Sequence, residues 1–196
     1  MLKRIFDISL ASVGLVVLSP IFLTVAWLIR HQDGGPVLYP GKRTGLNGRQ
    51  FRMFKFRTMV AGADKIGGPS TADDDPRITR IGKLLRKFKL DELPQLFNVL
   101  KGDMSIVGPR PEVKYYTDQF TEAEKAILDV RPGITDWASI WNPDEGAILK
   151  GAADPDKAYE ELIRPTKIRL QLKYVRNQSF KNDLIIIKET LNAIIK

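Results

Sequence analysis

Residues 89–111, KLDELPQLFNVLKGDMSIVGPRP, decide how this chain is read. Asp91 and Glu92 stand side by side, directly after a run of cations at Lys83, Arg86, Lys87 and Lys89. The spacing predicts a helix over Asp91–Lys101, with Asp91 as N-cap or first-turn acid and Gly102 as the stop. A short apolar strand then leads into the turn Gly108-Pro109-Arg110-Pro111. Paired acids beside guanidinium groups suit a metal-bound diphosphate. One carboxylate attacks or takes a proton, the other holds a divalent cation, and the arginines grip phosphate oxygens. Capping alone would also explain Asp91, and the two roles are compatible because a helix N-terminus favours anions.

Working outward, Arg80–Lys89 reads as a helix with Ile81, Leu84, Leu85 and Phe88 on one face and cations around it. It suits an anionic membrane surface or ordinary packing with a solvated face, and the pattern does not choose between them. Pro36–Tyr39 and Gln50–Arg57 read as strands of a hairpin about Thr44-Gly45-Leu46-Asn47-Gly48. Residues 60–77, rich in Gly and Asp, are expected to form a mobile loop. Within it, Asp73-Asp74-Asp75 imitates an Asp-x-Asp metal site, although acidic loops of this kind are mostly just solvated. Thr121-Glu122-Ala123-Glu124 is a capping box opening a short helix, and helical patterns resume over 156–176 and 182–195. The fold class expected is α+β: a small, mostly helical domain with a short hairpin.

From Ile8 to Ile29 no residue is charged, a run of 22. At about 1.5 Å per residue, such a helix would cover a bilayer core. A transmembrane anchor or an uncleaved signal is one reading. Ser19-Pro20 at mid-run and basic residues at both ends (Lys3, Arg4 and Arg30) favour a second, a helix that kinks and returns to one face. Ser19 could then serve the carbonyl that Pro20 leaves free.

Composition sets the outer limits. The chain has 196 residues, enough for one domain with a modest core. Its net charge of +8 and pI near 9.7 favour anionic partners such as lipid or nucleotide, and no nucleic-acid-binding motif accompanies the charge. Without cysteine there is no thiolate nucleophile or disulfide, and the lone His31 excludes two-histidine metal sites.

The segments KRIFDISLA near the N-terminus, FRMFKFRTM at 51–59, LDELPQLFNVLKGDMSIVGPRP at 90–111 and RPGIT at 131–135 resemble the bacterial sugar transferases of the monotopic phosphoglycosyl transferase family. The resemblance spans nearly the whole chain. It implies an N-terminal re-entrant membrane element over 1–32, broken at Ser19-Pro20, and a catalytic domain over 33–196 on the cytoplasmic face of the bacterial inner membrane. It implies transfer of a sugar phosphate from a UDP-sugar to polyprenyl (undecaprenyl) phosphate, with Asp91 as nucleophile and release of UMP. Glu92 would hold Mg²⁺. Arg57, Arg86 and Arg110 would clamp phosphate, the last framed by Pro109 and Pro111; surface or structural salt-bridging is the rival role for Arg57 and Arg110. Family members often carry lysine where Arg57 stands. Membrane lipids are further expected partners, a homo-oligomer is compatible, and nucleic acid is not expected.

The chain departs from that pattern after Thr135. Relatives often continue with Gly, Trp-Ala-Gln-Val and Asn-Gly-Arg, whereas here Asp136-Trp137-Ala138-Ser139-Ile140-Trp141 leads to Asp144 and Glu145. A sugar preference therefore does not carry over. Two rival functions remain: a UDP-releasing glycosyltransferase, and a basic membrane-bound scaffold with no activity.

Overall fold

The computed structural model describes residues 1–63, 66 and 70–195. Two helices open the chain, α1 (Leu2–Val17) and α2 (Ser19–Asp33), and meet at a bend of 61°. Pro20 cannot donate to the carbonyl four residues back, and Ser19 Oγ donates to that Val16 oxygen at 2.8 Å. Among the described residues no single helix is long and apolar enough to cross a membrane, but the α1–α2 pair passes on length and composition together. The outer face of the pair is apolar, with Val16 74 % and Leu23 73 % exposed.

An antiparallel ribbon follows, β1 (Leu38–Thr44) with β2 (Gln50–Phe56), in register Leu38 to Phe56 and Thr44 to Gln50. The first strand therefore starts later and runs longer than the expected Pro36–Tyr39. Pro40 is tolerated because β1 is an edge strand, where a missing N–H breaks no ladder on its outer side. Asn47, at φ 55°, takes the left-handed turn position. Of the loop expected over 60–77, residues 64, 65 and 67–69 lie outside those described; Met59 bridges Ile78 across its base.

Helix α3 (Arg80–Lys87) is capped by Thr79, whose Oγ accepts from Gly82 N. It stops two residues short of the expected end because Lys89 enters the left-handed region at φ 54°. The single helix expected over Asp91–Lys101 is in fact two pieces. Leu90–Glu92 forms a 3₁₀ turn, and α4 (Gln95–Lys101) starts after Pro94 and ends at Gly102, φ 89°. Proline at a helix start is favoured because its missing N–H would be unpaired there anyway.

Two three-residue strands, β3 (Ser105–Val107) and β4 (Gly133–Thr135), pair in parallel. Between them lie α5 (Lys114–Thr117) and the capping-box turn, where Thr121 N and Glu124 N exchange bonds with each other's side chains. Short helices α6 (Trp137–Trp141), α7 (Glu145–Leu149) and α8 (Pro155–Ala158) follow; a wider π turn over Tyr159–Ile163 leads into α9 (Arg164–Arg176), and α10 (Phe180–Ile195) closes the fold. The architecture is α+β. Its main core gathers Ala11, Met53, Leu96, Val99, Met104, Ile106, Val107, Tyr174 and Ile186, so α1, β2, α4, β3, α9 and α10 share one apolar centre. A second cluster, Val25, Ile29, Phe56 and Leu85, ties α2 to β2 and α3.

Candidate active site

Asn98, fully buried on α4, substitutes for a third strand beside β2. Its Oδ1 accepts from Phe54 N at 2.8 Å and its Nδ2 donates to Arg52 O at 2.7 Å. This clasp fixes β2 against the turn carrying the acids. Lys55 consequently reaches over that turn, with its Nζ 2.8 Å from Glu92 Oε1 and 4.0 Å from Asp91 Oδ2.

Arg110 approaches Glu92 from the opposite side and binds both carboxylate oxygens, one of them at 2.9 Å. Its backbone is held from every direction. Arg110 N donates to Asp136 Oδ2 at 3.2 Å, Gln171 donates to the Arg110 carbonyl at 3.2 Å, and Gly133 N donates to Pro109 O at 3.0 Å. A Cβ on Gly108 would lie 2.4 Å from the Arg131 carbonyl, and one on Gly133 would lie 2.1 Å from Gly108 N. Only glycine permits that approach, so the Gly-Pro-Arg-Pro turn and the 131–135 segment form one rigid piece.

Burial favours neutral Glu92, but Arg110 and Lys55 outweigh it and hold its carboxyl well below the usual range. Arg110, itself desolvated, is held even more firmly protonated by Glu92. Asp91 goes the other way: burial raises it above an ordinary aspartate, and Lys55 only partly offsets that. Asp7, Asp136 and Asp183 are also buried aspartates, and each accepts at least two side-chain or backbone hydrogen bonds. The Asp91 carboxylate accepts none from the described residues. Two neighbouring acids thus have separate roles, one locked in an ion pair and one buried without hydrogen bonds.

Arg86 belongs to the same cleft. Its Nε donates to Thr58 Oγ1 at 3.1 Å, burial depresses its affinity for the proton, and Asp91 is first among the carboxylates that counter this. Gly82 lets α3 sit close, since a Cβ there would lie 1.9 Å from Thr58 O. The structure therefore gathers Asp91, Glu92, Arg86 and Arg110, with Pro109 and Pro111 framing the last. Arg57 is employed elsewhere. It is 6 % exposed, and its guanidinium is bound to Asp33 and to the Pro36 carbonyl at 2.7 Å, which pins the exit of α2 to the end of β2. In the structure this arginine forms the salt bridge that was its rival role. Asp91 makes no capping bond; Lys89 precedes the 3₁₀ turn in the cap position.

Three residues were missed by the sequence reading. Lys55 was visible only as one residue of the Gln50–Arg57 strand. Arg43, half-buried on β1, donates to its neighbour's carbonyl at 2.8 Å, has no carboxylate within ion-pair distance among the described residues, and is depressed by burial. Lys167, 5 % exposed, bridges Glu112 and Glu145, at 2.8 Å from the latter. The Asp73–Asp75 run is occupied structurally: Asp75 pairs with Arg77, Asp74 accepts from Gly151 N, and Asp73 N donates to Gly146 O. Among the described residues no three metal-ligating side chains cluster. A cation such as Mg²⁺ takes one or two protein carboxylates and completes its shell with water and substrate phosphates. Glu92 is the carboxylate that would hold it.

The family model described as "Bacterial sugar transferase" matches residues 1–196. Over 99 % of its length the chain is 38 % identical to an Aeromonas hydrophila protein named UDP-N-acetylgalactosamine-undecaprenyl-phosphate N-acetylgalactosaminephosphotransferase, spanning 44 % of that protein. It is 37 % identical to the exopolysaccharide production protein ExoY of Sinorhizobium fredii, with 98 % of this chain and 84 % of that one aligned. It is 38 % identical to the undecaprenyl-phosphate glucose phosphotransferase of Komagataeibacter xylinus, with 98 % of this chain and 36 % of that one aligned. The chain thus spans under half of two of these relatives and most of the third.

Proposed function

The chain belongs to the bacterial sugar transferase family, and from that premise we propose that it transfers a sugar 1-phosphate from a UDP-sugar to polyprenyl phosphate, releasing UMP, by way of a covalent intermediate on Asp91. The observation that carries the reading is the contrast within the dyad. A carboxylate buried beside Lys55, Arg86 and Arg110 yet free of hydrogen bonds has its lone pairs available for attack. An Asp91 oxygen attacks the sugar-bearing phosphorus, and the phosphorus–oxygen bond to UMP breaks as that oxygen takes the electron pair. In the second half, a phosphate oxygen of the lipid attacks the same phosphorus and Asp91 leaves as carboxylate. Lys55 and Arg110 stabilise the charge building on the transferring group, and Arg86 holds it in line. A divalent cation such as Mg²⁺, when held by Glu92, would neutralise diphosphate charge.

The α1–α2 pair serves this scheme by holding the domain on the bilayer surface. Its exposed apolar face and the 61° bend support a re-entrant element with both ends on the cytoplasmic side of the bacterial inner membrane. Cysteines placed at position 2 and at Ile66 and probed with an impermeant maleimide in intact spheroplasts should both stay unlabelled. Labelling at position 2 alone would mean a span.

Chemistry is tested by intact-protein mass spectrometry. Incubated with the donor that supports UMP release, and without lipid, the protein should gain one phosphosugar. Kinetics that require both substrates bound together, with no adduct under any productive donor, would make Asp91 a general base and the transfer a single step. UDP rather than UMP as the product would support the glycosyltransferase reading instead.

A further inference from the structure

The cleft is electrically divided. On the dyad side, Lys55, Arg86 and Arg110 face Asp91 and Glu92, a surplus of one positive charge. Next along the chain from Arg110 and Pro111, Glu112 shares the Lys167 ammonium with Glu145, so two carboxylates answer one cation. Residues two apart are separated by about 7 Å at most, so the two sides of this division lie close together. Glu112 is the more enclosed of the two: its side chain is 14 % exposed, and the Tyr159 hydroxyl donates to the same oxygen that meets Lys167. Glu145 is different. One oxygen takes Lys167, the other has no protein donor among the described residues, and the side chain is 36 % exposed.

Its position is built rather than accidental. Asp144 caps α7 by accepting from Ala147 N at 3.2 Å, which sets Glu145 at the first helical position. Gly146 is pressed against the 73–75 loop, where a Cβ would come 2.4 Å from Asp73 Oδ1. Lys167 is buried on α9 and stays protonated because Glu112 and Glu145 outweigh its burial. The shared Lys167 ammonium ties Glu145 to Glu112, two residues from Arg110, and one turn further along α9 Gln171 donates to the Arg110 carbonyl, which sets Glu145 beside the cationic side of the dyad.

Building on the proposed transferase reading, we infer that Glu145, held by Lys167, is the sugar-recognition acid of this chain: it accepts a hydrogen bond from a hydroxyl or N–H of the donor's sugar and rejects sugars carrying a carboxylate. The phosphates are drawn to the cationic side and the sugar falls on the anionic side. A carboxylate can only accept, so it favours a neutral, donor-bearing ring and opposes a negative one.

The experiment compares kcat/KM for UMP release from the neutral UDP-hexose that turns over fastest and from the UDP-hexuronic acid of the same configuration. The native protein should prefer the neutral donor by tenfold or more. Glu145→Gln should narrow that ratio at least fivefold, chiefly by improving the acidic donor. Glu145→Asp keeps the charge and should keep the ratio even if it slows both donors. A purely structural role would slow both donors equally in Glu145→Gln, and an unchanged ratio overturns the inference while leaving the transferase reading intact. Failure of every UDP-sugar to yield UMP would overturn that reading and this inference with it.

Discussion

The foot of α1 and the acid turn before α4 each bury charge, and they treat it in opposite ways. At the foot every charge is answered. Asp7 accepts from Ser105 Oγ and from Ile106 N at 3.0 Å, Lys3 meets Asp183 at 2.7 Å, and Arg4 donates to the Val99 and Leu100 carbonyls at the end of α4. Such groups orient the α1–α2 pair on the domain, and the cation at a helix C-terminus is favourable in its own right. At the acid turn Glu92 is answered twice, whereas Asp91 accepts no hydrogen bond from the described residues and has Lys55 only at 4.0 Å. One region stabilises; the other holds a group in a costly state that substrate can relieve.

The sharpest way to break this comparison is to neutralise the unanswered acid. Asp91→Asn should lower UMP release by roughly a thousandfold or more, since a carboxamide is no nucleophile. It should abolish the phosphosugar adduct and raise the melting temperature. Lower stability in Asp91→Asn would mean that its carboxylate is a structural anchor.

The converse change is Asp7→Ala. It strands Ser105 Oγ and Ile106 N in the interior and should cost about 3 kcal/mol of stability by denaturant unfolding. Per folded molecule, the adduct-forming step should be unchanged. A selective loss of that step with intact stability would join the foot of α1 to the catalytic machinery.

Much of this contrast could be read from the residues, and the reasons differ by element. The Asp91-Glu92 pair, the Gly102 stop and the Thr121–Glu124 capping box are local signals, complete within a few positions. Pro94 was an equally local signal for the start of α4, and assigning Asp91 the cap ignored it. Asn98 replacing a strand, the β3–β4 pairing across 25 residues and more, and the Arg57–Asp33 pair all depend on partners distant in sequence. Periodicity is silent on such partners, and three-residue strands carry too little pattern to detect. The Glu145–Lys167 contact was hidden for the same reason, although the missing arginine had marked that loop as unusual.

The subtlest test uses pH. Burial lifts Asp91 above the ordinary aspartate value of 3.8, so the folded protein binds this proton more tightly than the unfolded chain. Its favourable contribution to stability is therefore present below the unfolded value and is lost as pH rises through the folded one. Asn at this position does not titrate. The stability difference between Asp91→Asn and the native chain should be small in acid, grow as pH climbs from the unfolded value of 3.8 to the native Asp91 titration, and level off above it. Glu92 has the opposite sign, because Arg110 and Lys55 hold it below its ordinary value, so Glu92→Gln should destabilise most above pH 4.5 and least in acid. Denaturant unfolding of the three proteins from pH 8 down to well below 4.5 would measure both trends at once. Parallel curves for Asp91→Asn and the native chain would mean that Asp91 titrates normally, and the distinction between the two neighbouring acids would collapse.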